Sequence, residues 1–269
     1  MVISQQKTKK KWKKGRIILF FLIAGFLYGL EQRYHVFRVA NISYVPDNIL
    51  EQDMVWRAMP EKAAVFWPIL FWRSDVLKSE IEHYYPVHVD LKSVGWGKFR
   101  LNVIPLEPYI KVYWSGMTWY LSDEGKIWRV SLGANALVHG IESPKRPLLV
   151  WGKDMPIPIN MDKQRGDITQ SSLPVQRIKS WYHELDRLGW NEKINRVTAI
   201  RSEGRFVLKL EFKTLFEKKM VIMINDDPAE WQSISQAVSA IQRDRSVRSE
   251  DLFIDTTYKG KLIVRSRDL

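Results

Sequence analysis

The sequence predicts an α+β fold in three parts: a single N-terminal transmembrane helix, a small α+β domain, and a larger mixed antiparallel β-sheet domain carrying two helices. Three observations predict it. A charge-free apolar run follows a basic tail near the amino terminus. Helical and strand periodicities then alternate as far as Pro108. Beyond it, short strands recur with turn signals about every eight to twelve residues, interrupted by two strongly patterned helices. The corresponding parts are a basic tail over 1–16, a membrane helix over 17–34, an α+β domain over 35–108 and a β-domain over 109–269.

The chain has 269 residues, 45% of them hydrophobic, with Trp 12, Tyr 10 and Phe 11, a composition that builds cores rather than solvated disorder. Its net charge of +12 suggests nucleic acid until the charges are placed. Seven of them, Lys7, Lys9, Lys10, Lys11, Lys13, Lys14 and Arg16, precede the first acidic residue, leaving only +5 for everything after. The sequence has no cysteine, so disulfides, thiolate nucleophiles and cysteine-ligated metals are excluded together.

"IILFFLIAGFLYGL", Ile17 to Leu30, is the apolar run. As a helix its 14 residues rise about 21 Å, against about 30 Å of hydrocarbon, so a span needs its flanks. Lys13, Lys14 and Arg16 are placed to snorkel, and Trp12 and Tyr34 stand where interfacial aromatics sit. A cleaved signal peptide has the same general pattern, but Phe26 to Glu31 offers no small-x-small cleavage site, so an uncleaved anchor is expected. The positive-inside rule then keeps the tail in the cytoplasm and exports the chain after about residue 34. Without a second apolar run, the protein is expected to be single-pass.

In the exported part, "VFRVANISYV" reads as a strand, and "PDN" starts a helix capped by Asp47 or Asn48 and striped by Ile49, Leu50 and Met54. "SDVLKSEIEHYYP" reads as a helix from Ser74, with Val76, Leu77, Ile81 and Tyr84 on one face and Pro86 as its stop. Two strands follow, with Val87, Val89, Leu91 and Ser93 on one face of the first and Phe99, Leu101 and Val103 on one face of the second. The stretch between the helices, "AAVFWPILFW", Ala63 to Trp72, is either a membrane or partner patch or a loop folded into the core. The core reading is the expectation.

After Pro108, strands over Tyr109–Tyr113, Thr118–Ser122 and Lys126–Val130 are joined by Ser115-Gly116 and Asp123-Glu124-Gly125. Asp123 is expected to close the second turn, Gly125 to take a positive φ and Glu124 to face water. One helix carries Ile178, Trp181, Leu185 and Leu188 and ends at Gly189. The other is capped by Asp227, with Pro228 in its first turn, a capping-box Glu230, and Trp231, Ile234, Val238 and Ile241 facing inward. "RFVLKLEF", "KMVIMIN" and "GKLIVRS" read as further strands.

Catalytic and metal patterns fail residue by residue. His183-Glu184 begins a zincin motif, but Arg187 stands where the second histidine belongs. His35, His83, His88 and His139 lack ligand spacing. Gly95-Trp96-Gly97 meets Arg100 instead of a third glycine, and no Walker pattern exists. Asp226-Asp227 and Glu250-Asp251 read as solvated or capping charge. No cofactor, metal, nucleic acid or small-molecule substrate is expected, and the protein is expected not to be an enzyme.

"VHVDLKSVGWGKFRLNVIPLEPYIKVYWSGMTWYLSDEGKIW", Val87 to Trp128, carries Glu107-Pro108 at a strand end, then Trp114, then the hairpin Tyr120 to Trp128. In these motifs, and in the order of its parts, the chain resembles the FtsQ/DivIB family of bacterial division proteins, with a weaker echo in "FIDTTYKGKLIVR". It departs from the family at Thr257, where an arginine is usual before the tyrosine, and in "LEFKTLFEKKMVIMI", where a glycine-containing hairpin is usual. The resemblance implies a POTRA domain over about 35–108 followed by an FtsQ-type β-domain. It implies a non-enzymatic scaffold at the division septum, anchored once in the bacterial inner membrane, that holds partners of the FtsB and FtsL type by strand addition. The strip it assigns to the partner is Tyr258, Lys259, Gly260, Lys261, Leu262, Ile263 and Val264, with Gly260 admitting the incoming backbone. Rival readings are a membrane-tethered cell-wall enzyme and a POTRA-bearing transport or assembly component.

Overall fold

A computed structural model describes residues 4–47, 49–50, 52–130, 138, 141–159, 168–202, 204–213, 219–243 and 251–267. The fold is α+β, with one apolar N-terminal helix and a large mixed sheet. Contacts divide the chain into two compact units, Met1–Ile81 with Val89–Val103 and Glu82–His88 with Ile104–Leu269.

Helix α1, Ser4–Tyr34, continues unbroken for 31 residues. Its segment Gly15–Tyr34, 20 residues, is long and apolar enough to cross a membrane and buries nothing within the protein. At 1.5 Å per residue it rises about 30 Å, which removes the shortfall of the charge-free run alone. Past Leu30 the helix goes on through Glu31 to Tyr34, where Arg33 in the last turn favours the negative end of the helix dipole.

The first unit holds β1 (Asn41–Val45), which pairs in parallel with β3 (Lys98–Pro105) in a sheet ordered β1-β3-β2, β2 being Val87–Gly95. Helix α2 spans Gln52–Ala58, and Asn48, one of the two expected caps, lies outside the described residues. Helix α5, Ser74–Tyr84, buries Leu77 and Ile81, but Tyr84 in its last turn and Ser93 in the outer half of β2 are exposed. The expected stripes therefore stop short of their ends.

Ala63–Trp72 departs from the expected core loop. It forms most of two short helices, α3 (Glu61–Val65) and α4 (Pro68–Trp72). Ala63 and Leu70 are buried while Val65, Phe66, Phe71 and Trp72 are exposed. A helix has one inward face, so a continuous apolar run cannot bury every side chain.

In the second unit, β4 (Pro108–Trp114), β5 (Met117–Ser122) and β6 (Lys126–Arg129) form the expected antiparallel hairpins. The remaining strands are β7 (Leu148–Trp151), β8 (Ile168–Gln170), β9 (Ile194–Ser202), β10 (Arg205–Phe212), β11 (Met220–Asn225), β12 (Asp251–Asp255) and β13 (Ile263–Arg267). With β4, β5 and β6 they make one ten-stranded sheet ordered β13-β12-β11-β10-β9-β7-β4-β5-β6-β8. Strand β7 joins its halves, pairing in parallel with both β4 and β9. The connection 214–218 between the antiparallel β10 and β11 lies outside the described residues.

Helices α6 (Val175–Arg187) and α7 (Trp231–Arg243) pack into one core with the sheet through Ile178, Trp181, Leu185, Trp231 and Val238, all buried, and the partly buried Leu188, Ile234 and Ile241. The indole N–H of Trp181 donates to the Asp226 carbonyl at 3.1 Å, and that of Trp231 to the Asn225 carbonyl at 2.9 Å. Both helices are thereby fixed to the end of β11. A 3-10 turn, Pro228–Glu230, leads into α7, and Asp227 accepts from the Ala229 N–H at 3.1 Å. The Tyr182 hydroxyl donates to the Pro147 carbonyl at 2.9 Å, tying α6 to the entry of β7. Complete burial raises that phenol far above its usual range, so it remains a donor.

Candidate functional site

The turn between β5 and β6 is structural, with a different residue closing it than expected. The Ser122 hydroxyl accepts from the Lys126 N–H at 3.0 Å, and the Ser122 carbonyl from the Gly125 N–H at 3.2 Å. Ser122 is nearly inaccessible, whereas Asp123 reaches out to Lys179 at 4.0 Å. Glu124 does not simply face water: its carboxylate lies 3.1 Å from His88 Nε2. Gly125 has φ +88, a backbone conformation that favours glycine, and a Cβ there would also push aside the Gln170 amide that donates to the Glu124 carbonyl at 3.2 Å.

Three of the other candidate carboxylates make ion-pair or backbone contacts. Glu184 accepts two hydrogen bonds from the Arg187 guanidinium, the Nε one at 2.8 Å, which occupies the turn where a zincin would hold metal. Asp226 pairs with Arg177 at 3.3 Å, and Asp251 accepts from the Lys219 N–H at 2.7 Å. Glu250 and His139 lie outside the described residues. Among the described residues no group of three His, Cys, Asp or Glu could hold a metal ion.

The Arg187 hydrogen bond, more than its charge, holds the Glu184 carboxyl below the ordinary glutamate range. A carboxylate depressed in the folded state adds stability above its unfolded pKa and loses it as pH falls through the folded value. Arg187→Ala is therefore expected to flatten the loss of stability below about pH 4, measured as urea midpoint against pH. A slope identical to that of the unaltered protein would contradict this.

Strand β13 ends the ten-stranded sheet. Among the described residues it pairs with β12 alone, in antiparallel register from Asp255↔Ile263 to Asp251↔Arg267. Its other rim carries the row of backbone groups that an added strand would use. The opposite edge, β8, is three residues long, and its continuation at Ser171 is bridged to Ile159.

The seven strip residues divide between turn and strand. Strand begins at Ile263, so Ile263 and Val264 lie in β13 while Tyr258 to Leu262 precede it. Tyr258, Lys259, Gly260 and Lys261 make an exposed turn closed by a Lys261 N–H to Tyr258 carbonyl bond of 3.0 Å. Gly260 has φ +69, and a Cβ there would meet nothing within 4 Å. The positive φ by itself favours glycine at this point of the turn. Leu262 is partly buried against the main core.

Val264 lies opposite Ile254, so the two share the sheet's core face; yet Ile254 is fully buried and Val264 is 41% exposed. The core-facing surface runs out at this edge. Tyr258 is also exposed, at 57%. Sequence reasoning missed Asp255, which accepts from both the Thr257 N–H at 2.9 Å and its hydroxyl at 2.7 Å. Thr256 is fixed in turn to the Met223 carbonyl through its hydroxyl at 2.9 Å. An Asp-Thr-Thr run after an alternating strand is the available signal for such a turn.

Fold and edge together define an α+β protein with one helix able to cross a membrane and a large mixed sheet whose last strand is open on one side among the described residues. Compared with known proteins, the chain matches no family model and no curated protein.

Proposed function

We propose that this protein is a non-enzymatic scaffold of the bacterial division machinery, of the FtsQ/DivIB type, with its first globular unit in the POTRA role. Helix α1 anchors it once in the inner membrane, the basic tail stays in the cytoplasm, and the rest acts outside the cytoplasm at the septum. The β-domain holds partners of the FtsB and FtsL type by strand addition along β13. The observation that carries this reading is the position of β13 at the sheet edge, with Val264 uncovered on the core face and Tyr258 exposed beside the strand. In strand addition, main-chain hydrogen bonds supply affinity and alternate side chains supply selectivity. In this reading Tyr258, exposed in the β12–β13 turn, acts as an aromatic anchor for the partner.

Tyr258→Ala is expected to weaken capture of an FtsB-type peptide by about tenfold or more, with the thermal midpoint nearly unchanged because the side chain is mostly in solvent. A pull-down in which the variant keeps full affinity would remove Tyr258 from the contact.

A further inference from the structure

The first unit carries aromatic side chains that remain mostly exposed. Phe71 is 63% exposed, Trp72 73% and Trp96 72%. Trp96 sits in the tight turn between β2 and β3, a position that does not itself require a tryptophan.

These residues belong to segments bonded directly to the chain that leaves α1. The Trp67 N–H donates to the Phe37 carbonyl at 2.7 Å, and the Val39 N–H to the Ala64 carbonyl at 3.1 Å. The Trp67 indole donates to the Val36 carbonyl at 3.3 Å. The Ala40 N–H donates to the Gly97 carbonyl at 2.8 Å, holding the β2–β3 turn to the same exit. Ring contacts run Phe37 to Phe66 at 5.5 Å and Trp67 to Trp96 at 6.0 Å. The exit itself is fixed to the helix end by the Phe37 N–H donating to Glu31 Oε2 at 2.8 Å.

From Tyr34 to Phe37 the chain reaches at most about 10 Å, while the headgroup zone on each side of the hydrocarbon is about 5–7 Å deep. A span ending at Tyr34 therefore delivers the α3–α4 segment and the Trp96 turn to the membrane surface. Tryptophan is enriched at that depth because its ring is apolar and its N–H is satisfied there.

We infer that Phe71, Trp72 and Trp96 form a second membrane contact, seated in the lipid headgroup interface beside the exit of α1, which restrains the first unit against the bilayer. The inference rests on the reading of α1 as a membrane anchor.

The absence of native cysteine allows the full chain to be labelled at one place at a time. Phe71→Cys and Trp96→Cys, each leaving the other aromatics intact, are labelled with bimane and reconstituted in phosphatidylethanolamine–phosphatidylglycerol vesicles. Ile157→Cys provides a solvent label, and Ile23→Cys a label inside α1. Lipids bearing a nitroxide near the glycerol end of the acyl chain are expected to quench positions 71 and 96 about threefold or more above position 157, since only the former enter the headgroup zone. A nitroxide near the methyl end is expected to quench position 23. Quenching at 71 and 96 equal to that at 157, with position 23 quenched, overturns this inference alone and leaves the aromatics for a protein partner. Absence of quenching at 23 overturns the anchor and this inference with it.

Discussion

Trp181→Ala is expected to destabilise the β-domain by about 3–5 kcal/mol, among the largest effects of any single substitution in it. Trp181 is fully buried on α6 in the core shared with α7 and the sheet. Truncation removes the transfer energy of the indole, opens a cavity, and leaves the Asp226 carbonyl without the indole donor. Trp231 makes the matching bond one residue earlier, to Asn225. Trp231→Phe, which keeps most of the ring volume, is expected to cost about 1–3 kcal/mol through the donor it removes. Urea unfolding measures both. A loss below about 1 kcal/mol for Trp181→Ala would mean that α6 does not depend on its attachment to the end of β11.

Replacing Leu22 and Ile23 together by arginine is expected to detach the protein from membranes. Each arginine at the centre of a spanning helix costs about 2.5–3.5 kcal/mol on the insertion scale, so the pair opposes insertion by about 5–7 kcal/mol. Both positions lie near the middle of Gly15–Tyr34, where the end-to-end reach needed for snorkelling is greatest. The unaltered chain is expected to remain with the membrane pellet after an alkaline wash, and the double variant to appear in the supernatant. Release of the unaltered chain at a lower mass would favour a cleaved signal peptide instead.

The parts legible in the sequence are those where one periodicity acts alone. Ile178, Trp181 and Leu185 fall at helical spacing before a glycine, and the chain forms α6 over them. The pair Ser115-Gly116 and the trio Asp123–Gly125 join strands of clear β character, and the hairpins lie there. Strand β7 was not legible because "LLVW", buried between two parallel neighbours, has no alternation to read. Nor was β9, whose "INRVTAIRS" places charge beside core residues along a long strand.

At the candidate site, the terminal strand was readable and its start was not. Leu262 looks like part of an alternating strand, but it packs back toward the core, and Asp255 with Thr257 holds the preceding backbone in a turn. Position in a sheet depends on pairing across distant sequence, so no local pattern assigns β13 to an edge. The apolar N-terminal helix shows a smaller limit, at its boundary. The sequence reading set it over 17–34, and the helical span adds Gly15 and Arg16 at its start.

The outer rim of β13 is proposed to receive a partner's backbone, and amide hydrogen exchange reads that rim directly. Of the Ile263–Arg267 amides, those turned away from β12 are expected to exchange rapidly in the free protein and to become protected when an FtsB-type peptide is added. In the Tyr258→Ala variant, protection is expected to require about tenfold more peptide. Exchange along Ile263–Arg267 that is the same with and without saturating, bound peptide would contradict the account, because the partner would then be held somewhere other than this edge.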